Sequence, residues 1–423
     1  MRRALRAVAA AGIVWAVFAP ASALASTPDV TPDPVRAQEY WLDDYGIETA
    51  WATTRGEGVR IAVIDTGIGK APAFEGAVVG GTDVSGEGAA DGRTPVGVVD
   101  ANHGSWVASL AAARQTPGGM IGVAPEADLL SVSVGFGSST TVPITTQVAD
   151  AIRWSVDHGA DVINLSFTTN TLDWDQTWDD AFLYAFDHDV VVVVAAGNRG
   201  SGTSRVGAPA TIPGVLTVGG VDPQGRASVA ASTQGITIGV DAPSEKLLGV
   251  SADGQLVTWD GTSGAAPIVA GIAALVRAAH PELDAANVIN RIVRTARPPA
   301  GVGDLPDNQY GYGLVDAAAA VSAPVATVSA NPMGDLREWI RVHRRAQGTP
   351  MPETSIDPVQ VPALPEADQP SAGGSPLLPT EATLLYGSLP LMGLTVAAIL
   401  VALGVTAAVR RVRLARAPRA PRR

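Results

Sequence analysis

The chain has 423 residues, no cysteine and a formal net charge of −12, from 29 basic and 41 acidic side chains. The lack of cysteine excludes disulfides, a thiol nucleophile and cysteine-ligated metals. Ten arginines lie in the two terminal segments 1–25 and 410–423, so the rest of the chain has 19 basic and 41 acidic side chains, a net charge of −22. A surface this acidic argues against a nucleic-acid ligand.

Residues 1–25 have the pattern of a secretory signal peptide. Three arginines precede an apolar run at 7–19, and Ala23, Leu24 and Ala25 form an A-x-A cleavage signal. The alternative is a short core helix or an uncleaved anchor. We expect cleavage after Ala25, which leaves residues 26–50 as an N-terminal extension.

Residues 51–321 have the pattern of a single α/β catalytic domain. Continuous apolar, β-branched runs occur at 58–67, 127–134, 160–167, 190–198 and 215–221. Helical patterns alternate with them at 103–114, 145–158, 176–188 and 263–280. Strands that are apolar on both faces, alternating with helices, predict a doubly wound, mainly parallel sheet with helices on both faces. Functional side chains gather at the carboxyl ends of the strands in such sheets.

The first candidate residues are an acid and a histidine. Asp65 ends the run VRIAVID, where Thr66 and Gly67 turn the chain, so its carboxylate can be buried and directed at one partner. Many such acids only cap the following turn. His103 is one of five histidines, and it begins a helix in a glycine-containing segment. It is the best candidate for a base, and a structural histidine is the alternative.

The other two candidates are Asn198 and Ser263. Asn198 ends VVVVVAAGN, where small residues admit a substrate and the amide offers two N–H donors. Its alternative is a turn residue. Ser263 begins the helix 263–280, whose free N–H groups and positive dipole end suit an anionic intermediate. Its alternative is a small residue that eases helix packing.

Together these four residues supply the groups for acyl transfer to a serine. His103 would take the proton of Ser263, and Asp65 would orient the imidazole and stabilise its charge. Asn198 and the Ser263 backbone N–H would stabilise the oxyanion. This chemistry needs no metal or other cofactor.

The C-terminal part of the chain has the pattern of a membrane anchor. Residues 322–385 are predicted to be a proline-rich linker, in which 334–348 is either a solvated basic arm or a short basic helix that makes a docking or membrane-surface contact. A membrane-spanning helix is predicted at 386–409, because 389–409 carries no charge and crosses a ~30 Å hydrocarbon layer at ~1.5 Å per residue. The tail 410–423 has seven arginines and no acid, which predicts a cytoplasmic C-terminus and a domain outside the cytoplasm.

The motifs resemble those of the subtilase family. VIDTGI around Asp65, NHGSWVAS around His103, AAGN at Asn198 and GTSGAAPIVAG around Ser263 are similar to its four site motifs, in the same order. GVAPEADL, DVINLSF and YGYGLVDAAAA also fit, and the resemblance covers 38–321. Within the family the chain looks most like the mycosins, membrane-anchored proteases of actinobacterial type VII secretion, because of its opening WLDDYGIETAW, short extension, linker and anchor.

The resemblance implies an endopeptidase, and the departures from it concern specificity and packing. Ser109 stands where the His motif usually has glycine, and Phe167, Thr168 and Thr169 stand where the substrate-lining strand usually has glycines. Mycosins usually carry cysteines, which this chain lacks. Structural calcium is common in the family, but the aspartates 83, 91 and 100 fit a solvated loop better.

The sequence therefore predicts a single-pass, type I membrane serine endopeptidase that acts on polypeptides outside the cytoplasm and is associated with the type VII secretion machinery. The main alternative is a structural component of a secretion complex whose protease activity is dispensable. A general nutritional protease is disfavoured by the anchor.

Overall fold

A computed structural model of the chain describes residues 33–97, 100–136, 140–344 and 389–415. The predicted signal peptide, residues 345–385 of the predicted linker and the last residues of the predicted tail lie outside these ranges.

A seven-stranded, fully parallel sheet forms the centre of the molecule, in the order β2-β3-β1-β4-β5-β6-β7. Its strands are β1 (Arg60–Asp65), β2 (Val78–Asp83), β3 (Asp128–Ser133), β4 (Val162–Leu165), β5 (Val191–Ala195), β6 (Leu216–Val221) and β7 (Ile238–Pro243). A separate antiparallel hairpin consists of β8 (Leu247–Val250) and β9 (Leu256–Trp259). The predicted doubly wound, mainly parallel sheet is confirmed.

Helices cover both faces of this sheet. They are α1 (Trp41–Asp44), α2 (Ile47–Ala50), α3 (His103–Ala112), α4 (Ile144–Asp157), α5 (Gln176–Asp187), α6 (Thr262–Ala279), α7 (Ala285–Thr295), α8 (Ala317–Ser322), α9 (Leu336–His343) and α10 (Leu389–Ala415). Alternate residues of β1 enter different cores: Ile61 and Val63 pack with α3 and α6, whereas Ala62 and Ile64 pack with α4 and α5. Burial on both faces explains the continuous apolar runs.

Among the residues that the structure describes, two helices are long and apolar enough to cross a membrane, but their surroundings differ. Of the apolar window in α6, 83% is buried inside the domain, whereas 0% of the window Met392–Arg411 in α10 is buried. A helix that is apolar on all sides belongs in a core or in a membrane. α6 is therefore the central core helix, and α10 is the candidate membrane span.

The segments on either side of the predicted domain pack against it. Trp41, Leu42 and Ile47 of the N-terminal extension are buried in the same core as α6. Leu336 of α9 is buried in the core beside α5, and Trp339 packs against that core. The sequence left open a solvated arm and a docking or membrane-surface contact for 334–348, and α9 docks on the domain.

Candidate active site

Asp65 and His103 are in direct contact. Asp65 ends β1 and is fully buried. Its Oδ1 accepts from the Thr66 backbone N–H at 2.7 Å, and Nδ1 of His103 lies 2.8 and 3.0 Å from Oδ1 and Oδ2. The predicted acid and the predicted base thus form a buried pair.

The start of α3 approaches the turn after β1 unusually closely. Oγ1 of Thr66 accepts from the Gly104 backbone N–H at 2.8 Å. A Cβ on Gly104 would lie 2.6 Å from the carbonyl oxygen of Gly67, so only glycine permits this approach. The approach places His103, the first residue of α3, against the end of β1.

Nε2, the second ring nitrogen of His103, is not used by the contact with Asp65. The ring lies edge-on to Trp106 and Trp259, at centroid distances of 6.3 and 5.6 Å. Nδ1 donates to Asp65, so in the neutral ring Nε2 is an acceptor. Nε2 is buried and has no hydrogen-bond partner among the described residues. An unpaired basic nitrogen is therefore held in a fixed orientation.

Ser263 is tied to the end of β4. It is the second residue of α6 and is 4% exposed. Its Oγ donates to the Ser166 carbonyl oxygen at 3.0 Å, and Oγ of Ser166 donates to the Ser263 carbonyl oxygen at 2.8 Å. In the described part of the chain no hydrogen bond joins Ser263 to His103. Such contacts are often long without substrate and tighten when it binds.

Asn198 is oriented by the residue that precedes Ser263. Its Oδ1 accepts from the backbone N–H and from Oγ1 of Thr262, at 2.7 and 3.0 Å. Oγ1 of Thr262 in turn accepts from the Gly197 backbone N–H at 2.9 Å. With its oxygen engaged, the amide presents Nδ2 as the remaining donor. Thr262 thereby places Asn198 beside the start of α6.

Two residues of this arrangement were not predicted from the sequence. Thr262 orients Asn198, and Ser166 binds Ser263. A sequence signal existed for both, because each hydroxyl lies in a run of small or apolar residues and a buried hydroxyl needs a partner. The sequence does not say which partner it has.

The described residues contain no group of three or more His, Asp or Glu side chains that could hold a metal ion. Asp83 accepts from Oγ of Ser85 at 2.6 Å and from the Gly86 N–H at 2.9 Å. Asp91 forms an ion pair with Lys70 at 3.2 Å. Asp83 is therefore engaged within the turn that follows it, and Asp91 is paired with a lysine from the segment after β1.

Two cavities lie away from these residues. One, of about 370 Å³, is lined by Ile212, Ile238 and Met333, and the other, of about 350 Å³, lies between α5 and α9. Neither is lined by Asp65, His103, Asn198 or Ser263. The four predicted residues instead lie where strands end and helices begin, at the carboxyl edge of the sheet.

Comparison with known proteins gives consistent matches. Residues 56–313, which include all four predicted site residues, match the subtilase family, Peptidase S8. Mycosin-1 of Mycolicibacterium smegmatis is 35% identical over 355 residues, which cover 71% of this chain and 76% of that protein. Subtilisin DY of Bacillus licheniformis is 34% identical over 301 residues, 69% of this chain and 96% of that protein.

A solved structure shows the same architecture. The MycP3 protease from the type VII (ESX-3) secretion system superposes with a TM-score of 0.59 at 32% sequence identity. The match covers 70% of this chain and 90% of that one.

Proposed function

The chain belongs to the subtilase family of serine proteases, and we propose that it is a membrane-anchored endopeptidase that acts outside the cytoplasm in association with a type VII secretion system. The enzyme class follows from the family. The secretion role is inferred from the mycosin relatives, and the anchor from the exposed apolar helix α10.

The buried pair of Asp65 and His103 carries the proposed mechanism. Because Nδ1 donates to the carboxylate, Nε2 is the free base. Ser263 gives up its bond to the Ser166 carbonyl, turns toward Nε2 and transfers its proton as Oγ attacks the peptide carbonyl. Asp65 stabilises the imidazolium that forms. The imidazolium then protonates the leaving amine, and water hydrolyses the acyl-enzyme with His103 again as base.

The oxyanion of the tetrahedral intermediate would be stabilised from two sides. Nδ2 of Asn198 is one donor, and Thr262 holds the amide in the orientation that presents it. The backbone N–H of Ser263 is the other, since the first N–H groups of a helix have no partner within the helix. Removing one such donor typically lowers kcat by ~10²–10³-fold.

The proposed topology follows the chain from end to end. A signal peptide at 1–25 is removed, and the extension 26–50 leads into the catalytic domain 51–321. The linker 322–385 connects this domain to the membrane-spanning helix 386–409, and the arginine-rich tail 410–423 stays in the cytoplasm. The exposed apolar surface of α10 supports the anchoring step.

A fluorophosphonate probe tests the proposed activity directly. We expect the full-length protein to be labelled once, on Ser263, and Ser263→Ala to remain folded and unlabelled. Ser201→Ala, at the 3₁₀ turn Arg199–Ser201, is the matched control and should be labelled like the wild type. A folded wild-type protein without Ser263-dependent labelling would contradict the proposal.

A further inference from the structure

We propose that α9 is a positioning element for the loop 166–175, whose near end contacts Ser263 and whose far end is held by Trp339 and Arg344. The inference rests on the proposed protease function. α9 lies outside the residues that match the family, since the match ends at 313.

The near end of the loop 166–175 forms a wall beside the candidate active site. Ser166 exchanges two hydrogen bonds with Ser263. Oγ1 of Thr168 donates to the Gly207 carbonyl oxygen at 2.8 Å, and its methyl group would lie 2.6 Å from a Cβ on Gly197. Thr168 therefore covers the residue next to Asn198. A substrate that reaches Ser263 from this side meets the loop.

The far end of the same loop is fixed by a cluster of Trp174, Asp179, Trp339 and Arg344. Nε1 of Trp174 donates to Oδ1 of Asp179 at 2.7 Å, and Nη2 of Arg344 donates to the same oxygen at 3.1 Å. Nη2 of Arg344 also donates to the Trp174 carbonyl oxygen at 3.2 Å. The Trp174 and Trp339 rings are 4.4 Å apart, and the guanidinium lies 5.6 and 5.4 Å from them.

This cluster is largely shielded from water. The side chain of Arg344 is 15% exposed and that of Asp179 is 9% exposed. Charges removed from water are costly unless they are paired. Asp179 therefore constrains Arg344 strongly, and Arg344 in turn constrains the Trp174 backbone.

The orientation of α9 places the start of the chain segment that leads to the proposed anchor beside this cluster. Near its start, Arg337 pairs with Asp187 at the end of α5, at 2.7 Å, and after its end Arg344 pairs with Asp179 near the start of α5. α9 thus runs back along α5 toward the carboxyl edge of the sheet. The chain continues from Arg344 through 345–388 to α10, so the anchor is joined to the domain at the loop that borders Ser263.

Arg344→Ala in the full-length protein tests this inference, with fluorescein-labelled casein as the extended substrate. We expect KM to rise about tenfold, because small displacements of positioning groups are costly. The rate of fluorophosphonate labelling should stay within about twofold, because the small probe needs only the serine and its partners. Arg344→Lys should give a smaller rise in KM, since lysine keeps the positive charge but lacks the planar guanidinium that lies near the Trp174 and Trp339 rings.

Arg341→Ala is the matched control. Arg341 lies on the same helix, is 56% exposed and pairs with Glu338 of its own helix. Arg341→Ala should leave the KM for casein and the rate of fluorophosphonate labelling unchanged. If Arg344→Ala does not fold, Trp339→Phe keeps an aromatic ring and should give a smaller rise in KM. Equal loss of casein cleavage and labelling, or no change in either, overturns the inference.

Hydrogen–deuterium exchange separates this inference from the proposed function. It is measured on Ser263→Ala with and without Arg344→Ala, so it does not depend on activity. Faster exchange in the peptide 166–175, with β4 and β5 unchanged, supports the inference. Unchanged exchange in 166–175 overturns it. Absence of wild-type labelling would refute the proposed protease function alone.

Discussion

At the scale of single residues, Thr262 links the proposed oxyanion donor to the start of α6. Its hydroxyl bonds both Oδ1 of Asn198 and the Gly197 N–H. Thr262→Val keeps the shape of the side chain but removes both hydrogen bonds of the hydroxyl. We expect kcat to fall about 10- to 100-fold with a smaller change in KM, since the donor acts in the transition state. Initial rates on casein and thermal unfolding of the same samples measure the effect.

The matched control is Thr295→Val at the end of α7, whose Oγ1 donates to the Arg291 carbonyl oxygen at 2.7 Å. It removes a helix-end hydroxyl far from the site and should leave kcat unchanged. If Thr262→Val retained the kcat of this control, the orientation of Asn198 would not depend on the Thr262 hydroxyl, and the Thr262 backbone N–H would suffice.

A second residue-scale feature is a buried acid away from the site. Asp241 lies in β7 and is 0% exposed, and neither carboxylate oxygen has a hydrogen-bond partner among the described residues. The side chain occupies space that only a glycine at 219 leaves open, since a Cβ there would lie 2.1 Å from Oδ1. Burial, with a smaller contribution from Asp307, raises the pKa of Asp241 well above its ordinary value.

This raised pKa predicts a pH-dependent stability. Between the ordinary and the raised pKa the folded protein holds a proton that the unfolded chain has released, so stability falls as pH rises, by about 1.4 kcal/mol per pH unit. Asp241→Asn cannot titrate. We expect it to match the wild type near pH 4 and to be more stable at pH 8.

Urea unfolding at pH 4 to 8, with Ser263→Ala in both proteins to prevent self-cleavage, measures the difference. Glu39 contributes in the same direction, because burial raises its pKa to about 7, but it is present in both proteins and cancels in the comparison. Parallel stability profiles would show that Asp241 is not protonated in the folded state.

At the scale of elements, an uninterrupted apolar run decided which strands could be predicted. β1, β3, β4, β5 and β6 were predicted because continuous apolar runs mark strands covered on both faces. β2 was missed because it lies at the sheet edge, is partly exposed and contains Gly80 and Gly81. β7 was missed because Gly239 and Asp241 interrupt its apolar pattern, although every residue in it is buried.

The candidate site was predictable as residue types at element ends, but its contacts were not. Asp65 and His103 are 38 positions apart, and Ser166 and Ser263 are 97 apart. No local pattern encodes such pairs, because the sheet brings their elements together. For the same reason the sequence could not show whether the segment that forms α9 docks on the domain, since Arg344 and its partner Asp179 lie 165 positions apart.

At the scale of the whole molecule, two surfaces of opposite character belong to one chain. Between the terminal segments 1–25 and 410–423 the chain has a net charge of −22, which favours solubility. α10 exposes apolar side chains along its length, among them Leu394 at 69% and Val401 at 65%. Such a surface is unfavourable in water, and each Leu, Ile or Val at the centre of a membrane helix favours insertion by about 0.3–0.6 kcal/mol.

This contrast predicts that α10 alone decides where the protein resides. A chain ending at Arg344, expressed with the proposed signal peptide, keeps the cluster of Trp174, Asp179, Trp339 and Arg344 intact and loses α10. We expect it to be soluble outside the cytoplasm and labelled by fluorophosphonate like the full-length protein, which should stay in the membrane after carbonate extraction. A chain ending at Ala415 keeps α10 and is the control that should stay in the membrane. If the chain ending at Arg344 also stayed there, the membrane contact would lie within residues 1–344, on an uncleaved N-terminal segment, the extension or the catalytic domain, because α10 would be absent.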